Sequence, residues 1–146
     1  MNSIELQATP VPLQATALPF PGGLGSVAAG FPSPAEDLGA QRIDLTRVLV
    51  THPQATFLLR ARGASMVDAG IFDGDILLVD RALKARHQSI VVAVVDGEFT
   101  VKTLWQRAGR VKLQAGNAAY PDIEPQDGQT LEIWGVVTAA IRQFRN

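Results

Sequence analysis

Short runs rich in Val, Ile, Leu and Thr recur through the second part of the chain, at 56–61, 76–79, 90–95, 98–104, 111–114 and 131–141. Gly, Asp and Pro separate most of them, which is the pattern of β-strands joined by tight turns. The alternation is clearest in 98–104. There Phe99 and Val101 fall on one face, and Thr100, Lys102 and Leu104 on the other. Asp96-Gly97 between two such runs is the strongest hairpin signal in the chain, and Asp73-Gly74-Asp75 marks another turn. A helix is predicted only over about 45–50, with Asp44 as its N-cap and Pro53 beyond its end. Strands without long helices between them predict a mostly β, antiparallel domain over residues 40–146. No internal repeat is present.

Residues 1–39 have another texture. The first 35 carry Pro10, Pro12, Pro19, Pro21, Pro32 and Pro34, with several glycines and alanines between them. Such a stretch cannot hold a regular helix or a central strand. It predicts an extended N-terminal arm, with a short strand-like piece around 4–8. The portion LGSVAAGFPSP (24–34) is nevertheless too apolar for an ordinary solvated linker.

Charge and composition narrow the function. Apolar residues make up 47%, a globular value, and 13 Lys+Arg against 14 Asp+Glu give a net charge of −1. No basic patch stands out, so direct sequence-specific DNA binding is not expected. With no cysteine there is no thiolate zinc site and no cysteine nucleophile. His52 and His87 carry no metal-ligand spacing, and neither a metal nor a cofactor is expected. Val27-Ala28-Ala29 has the look of a signal-peptide cleavage site, but upstream of it Glu5 is the only charged residue and four prolines interrupt any apolar helix. No apolar run reaches the ~20 residues of a membrane span, so a soluble, cytoplasmic protein with no membrane contact is expected.

Ser65 in Gly63-Ala64-Ser65-Met66 lies where a strand gives way to irregular chain. A serine there commonly bonds backbone amides of its own turn; as a nucleophile it needs a base. Neither histidine suits, which leaves lysine as the candidate, and Lys102 falls inside the strand-like run 98–104. By alternation alone, the favoured reading is a solvated lysine on the exposed face of a hairpin. To act as a base it must lose its proton, and an ordinary lysine with a pKa of about 10.4 keeps it at neutral pH. Removal from water disfavours the ammonium and lowers that value. A Ser65–Lys102 dyad therefore demands an apolar cover over the amine. Asp75 and Asp80 read as turn-capping residues rather than a triad acid, and Trp105 and Trp134 as partly buried anchors.

These residues resemble a known family. GFPSPAEDL (30–38), QRIDLTRVLVTHPQAT (41–56), ASM (64–66), DGDILLVDRAL (73–83) and VDGEFTVKTL (95–104) match, in order, the LexA/UmuD family of Ser–Lys autopeptidases. GNAAYPDI (116–123) and IWGVV (133–137) match more loosely. The resemblance implies a β-clip, LexA/signal-peptidase-like catalytic domain, with Ser65 as nucleophile and Lys102 as general base. It places the scissile bond at Ala29–Gly30, inside the arm. It further implies a homodimer, cleavage stimulated by a RecA filament on single-stranded DNA, and association of the trimmed product with a UmuC-like Y-family DNA polymerase in damage-induced translesion synthesis. Two departures stand out: Ala64 occupies a position where the family often has Asp, and Ala29 precedes the cut where UmuD relatives can carry cysteine.

The resemblance also explains the arm. A peptidase needs an extended substrate with small side chains at the cut, so that the serine oxygen approaches to within ~3.5 Å of the carbonyl. Ala28-Ala29-Gly30 meets that need, and addition to a strand edge is the expected way to hold the segment. Backbone N–H groups of Ser65 and Met66 are the expected oxyanion donors. The competing reading is a non-catalytic β-domain that regulates a polymerase or RecA by binding alone. A repressor is disfavoured because the proline-rich arm leaves no room for a helix-turn-helix domain, and a signal peptidase because no anchor is visible.

Overall fold

The computed structural model describes residues 5–13, 19–21, 42–126 and 128–145. The chain divides into two compact units, one of residues 1–13 with 54–146 and the other of residues 14–53. In the smaller unit β2 (Pro19–Pro21) pairs antiparallel with β3 (Arg42–Asp44). Helix α1 (Leu45–Leu49) follows directly, because the Asp44 carboxylate accepts the Thr46 N–H at 3.0 Å as predicted for its N-cap. It ends one residue before the predicted boundary: Val50 is already extended, with φ −121° and ψ 117°. Ala29 and Gly30 lie outside the described residues.

The larger unit is the predicted mostly β structure. Its strands are β1 (Glu5–Pro12), β4 (Thr56–Arg62), β5 (Ile76–Asp80), β6 (Ile90–Val95), β7 (Glu98–Arg107), β8 (Arg110–Gln114) and β9 (Leu131–Ile141). They form one antiparallel sheet in the order β1-β4-β5-β9-β6-β7-β8, and β1 also pairs with β7. The Asp96-Gly97 turn joins β6 to β7 with both residues at positive φ, 48° and 84°, and sets Val95 opposite Glu98. β7 runs three residues past its predicted end at Leu104. Ala108 and Gly109 supply a second turn of the same kind, at φ 51° and 75°, so Trp105, Gln106 and Arg107 all find partners on β8.

Apolar residues are buried on both faces of this sheet. Val92 and Val101 face Leu59, Ala61, Leu77 and Val79, while Val91, Ala93, Leu104 and Leu113 form a second buried cluster. The register sets Lys102 opposite Val91 and Thr100 opposite Ala93. The strand face holding Lys102 is therefore an inner one, and the solvated reading falls: Lys102 is 1% exposed. Gly135 on β9, opposite Val92, shows how tight the packing is. A Cβ there would stand 2.6 Å from Val79 Cγ1, and Val79 is fully buried. Gly135→Ala is expected to destabilise the fold by about 1–3 kcal/mol through overpacking, read as a lower denaturation midpoint. An unchanged midpoint would refute the packing argument.

Candidate active site

The turn that carries Ser65 is fixed from several sides. β4 ends at Arg62, and Gly63 takes φ 89°, a conformation that costs glycine nothing. The Gly63 N–H donates to Asp73 Oδ1 at 2.8 Å, tying the turn to the β4–β5 connection. Beyond it lies a 3-10 turn over Val67–Ala69. The segment at 116–117 braces the same turn. Asn117 Nδ2 donates to the Ala64 carbonyl at 3.0 Å, the Gly116 N–H donates to Met66 Sδ at 3.2 Å, and the Asp68 N–H donates to the Gly116 carbonyl at 2.7 Å. A Cβ on Gly116 would stand 3.2 Å from Met66 Cα, so any larger residue this close to the turn would have to displace it by a few tenths of an ångström. Ser65 and Met66 are both fully buried.

Lys102 reaches the same point from β7. Its Nζ donates to Ser65 Oγ at 3.2 Å, to Thr100 Oγ1 at 3.0 Å and to the Val101 carbonyl at 3.0 Å. Those three acceptors match the three N–H bonds of an ammonium. Burial pushes the Lys102 pKa down to about 8, because the charged form has lost the water that stabilises it. A neutral amine in the same place keeps two donors for Thr100 Oγ1 and Val101 O and turns its lone pair toward the Ser65 hydroxyl. The site can thus draw a proton from a serine 37 residues away in sequence.

The other polar residues singled out in the sequence are engaged elsewhere. Asp75, 1% exposed, receives Arg142 Nε and an Arg142 terminal nitrogen, each at 2.9 Å, and the Phe72 N–H at 2.8 Å. The Arg142 guanidinium, helped by that amide and opposed by burial, holds its carboxyl below the ordinary value. Asp80 Oδ1 accepts the Ala82 N–H at 2.8 Å. Both act as the predicted turn-capping residues. His87 Nδ1 accepts from the Gln106 N–H at 3.0 Å, and the ring meets Trp105 edge-on. Trp134 packs edge-on against Phe57 and Phe99, with Arg81 over its ring at 4.4 Å. Among the described residues there is no cluster of three or more His, Cys, Asp or Glu able to hold a metal, and no helix is long and apolar enough to cross a membrane.

Two contributors are not apparent from the sequence. Thr100 is the i−2 neighbour of Lys102 on one strand face, but its role as acceptor for Nζ depends on that face being buried. Asn117 gives no signal beyond its place in a turn-like GNAAYP run.

Residues 22–138 match the Peptidase S24-like family. The chain is similar to protein MucA of Salmonella typhimurium, 48% identical over 120 residues that cover 81% of each chain. Protein ImpA of Escherichia coli is 46% identical over 117 residues, covering 80% of this chain and 79% of ImpA. The LexA repressor of Paracidovorax citrulli is 42% identical over 119 residues, 82% of this chain but 53% of the repressor.

Proposed function

The chain belongs to the S24-like peptidase family, and from that premise we propose that it is a serine endopeptidase that cuts its own arm between Ala29 and Gly30. The observation that carries this reading is the buried Lys102 amine 3.2 Å from Ser65 Oγ. Neutral Lys102 takes the proton as Ser65 Oγ attacks the Ala29 carbonyl carbon. The oxyanion so formed is held by backbone N–H groups at Ser65 and Met66. When the tetrahedral intermediate collapses, the C–N bond breaks and the Lys102 ammonium protonates the departing Gly30 amine. Water, deprotonated by the same lysine, then releases the Ala29 carboxylate from Ser65.

The wider role follows the family resemblance. The protein works in the cytoplasm as a homodimer. A RecA filament on single-stranded DNA stimulates the cut, and the trimmed product becomes the accessory subunit of a UmuC-like Y-family polymerase in damage-induced translesion synthesis. The relatives MucA, ImpA and LexA support that setting by their similarity.

Intact mass tests the proposal. At pH ~10, where the amine is largely neutral, the pure protein is expected to lose residues 1–29 in a single step. Ser65→Ala is expected to stay whole under the same conditions. A wild-type chain that remains intact at pH ~10 and with RecA filament, or a Ser65→Ala chain clipped alike, overturns it.

A further inference from the structure

Strand β1 belongs to the peptidase unit in space while being joined to it only through residues 14–53, the stretch that contains Ala29 and Gly30. Its backbone pairs with β4, setting Leu6 opposite Ala61, Gln7 opposite Arg60 and Val11 opposite Leu58, and the Leu13 N–H extends the pairing by donating to the Thr56 carbonyl at 3.0 Å. At its start β1 has two neighbours, because Glu5 lies opposite both Arg62 of β4 and Thr100 of β7. The prolines respect this arrangement. Pro10 falls within the register shift between Gln7 and Val11 and Pro12 lies opposite Phe57 of β4, both away from Glu5, where β1 also pairs with β7. Proline has no N–H to donate, so an edge tolerates it and a two-sided strand does not. The sequence of β1 is therefore fitted to a seat with one open side at its end and two partners at its beginning.

We propose that the edges of β4 and β7 form a strand-binding slot whose occupant is the chain's own residues 5–12, so that the fragment 1–29 stays seated after the cut. The inference rests on the proposed cleavage between Ala29 and Gly30. Cutting the chain and shedding the fragment then become two separate events. Main-chain pairing holds the fragment after the covalent link is gone, in the manner of a peptide added to a sheet. The slot lies beside the dyad: Arg62 stands three residues before Ser65, and the side chain of Thr100 holds Lys102 Nζ at 3.0 Å. When the fragment leaves, two unpaired strand edges open next to the catalytic turn. Unpaired edges are templates for another extended segment, so departure of the fragment, and not the cut, changes what this surface binds.

The test separates the two events. In a Ser65→Ala chain, a recognition sequence for a site-specific foreign endopeptidase replaces residues 24–29, and that enzyme makes the nick. Native size exclusion and native mass measurement are expected to find the N-terminal fragment bound to the remainder in equal amounts. With Leu6→Pro and Gln7→Pro in the same chain, which removes two amides from the stretch of β1 paired with β4, the fragment is expected to elute alone. The vacated remainder is then expected to take up a labelled peptide of residues 1–13, which shows the slot intact. Immediate loss of the unmodified fragment, its retention despite both prolines, or failure to capture the peptide each overturns the proposal. The foreign enzyme cuts whatever Ser65 does, so these outcomes speak of the strand alone, and absent self-cleavage in the unaltered chain speaks of the proposed peptidase.

Discussion

Lys102→Met is expected to abolish self-cleavage while leaving the fold in place. Methionine keeps the length and apolar body of the lysine stem but has no nitrogen to accept the Ser65 proton. General-base removal alone lowers a rate by about 10²–10⁴-fold, so no loss of residues 1–29 should appear while the parent reacts to completion. Stability near neutral pH should change little. Burying an amine whose pKa falls from 10.5 to about 8 costs the wild type roughly 3 kcal/mol. The variant escapes that cost, but acceptors such as Thr100 Oγ1 lose their donor at about 1–3 kcal/mol each. Intact mass reads the first effect and thermal unfolding the second. Lys102→Arg sharpens the test, because a guanidinium keeps the positive charge and cannot be deprotonated. An arginine variant that still cuts would show that the lysine serves as a charge and not as a base, and a methionine variant cutting within tenfold of the parent would remove the dyad altogether.

Much of this site is legible in the amino-acid sequence alone, and the reason the rest is not is physical. The absence of cysteine and the placing of the histidines narrow the choice of base to a lysine, but it is the resemblance of ASM (64–66) and VDGEFTVKTL (95–104) to the LexA/UmuD family that picks out Ser65 and Lys102. What alternation cannot decide is which face of β7 is wet. That depends on Val91 and Ala93 of β6 and on Leu113 of β8, which bury the Lys102 face from neighbouring strands. The hairpin at Asp96-Gly97 is readable because its geometry is local. The seating of β9 between β5 and β6 is not, because it joins residues some sixty positions apart in sequence, such as Leu77 and Ala140. Pro10 and Pro12 mislead in an instructive way: they bar a central strand, yet they lie in β1 away from Glu5, where it also pairs with β7. The short strand-like piece around 4–8 is thus the visible end of a longer strand, Glu5–Pro12.

The rate of self-cleavage should rise with pH through about 8 and then level off. The reactive form is the neutral amine, and burial sets its pKa at about 8. At pH 7 about one molecule in ten carries it, and at pH 6 about one in a hundred, so the rate falls nearly tenfold for each pH unit below the inflection. The same equilibrium has a second consequence. The folded pKa of about 8 lies below the value of 10.5 that an exposed lysine shows, so between those limits the unfolded chain binds more protons than the folded one. Stability attributable to Lys102 therefore rises with pH across that window and is flat below it. Compared with Lys102→Met, which has no such group, the wild type should gain roughly 3 kcal/mol between pH ~8 and ~10.5. Single-turnover rates by intact mass and denaturant unfolding of both chains should then share one inflection. A rate that is level from pH 6 to 9, or a stability difference between the two chains that does not move across the window, would mean that Lys102 holds its proton and that another group takes the one from Ser65.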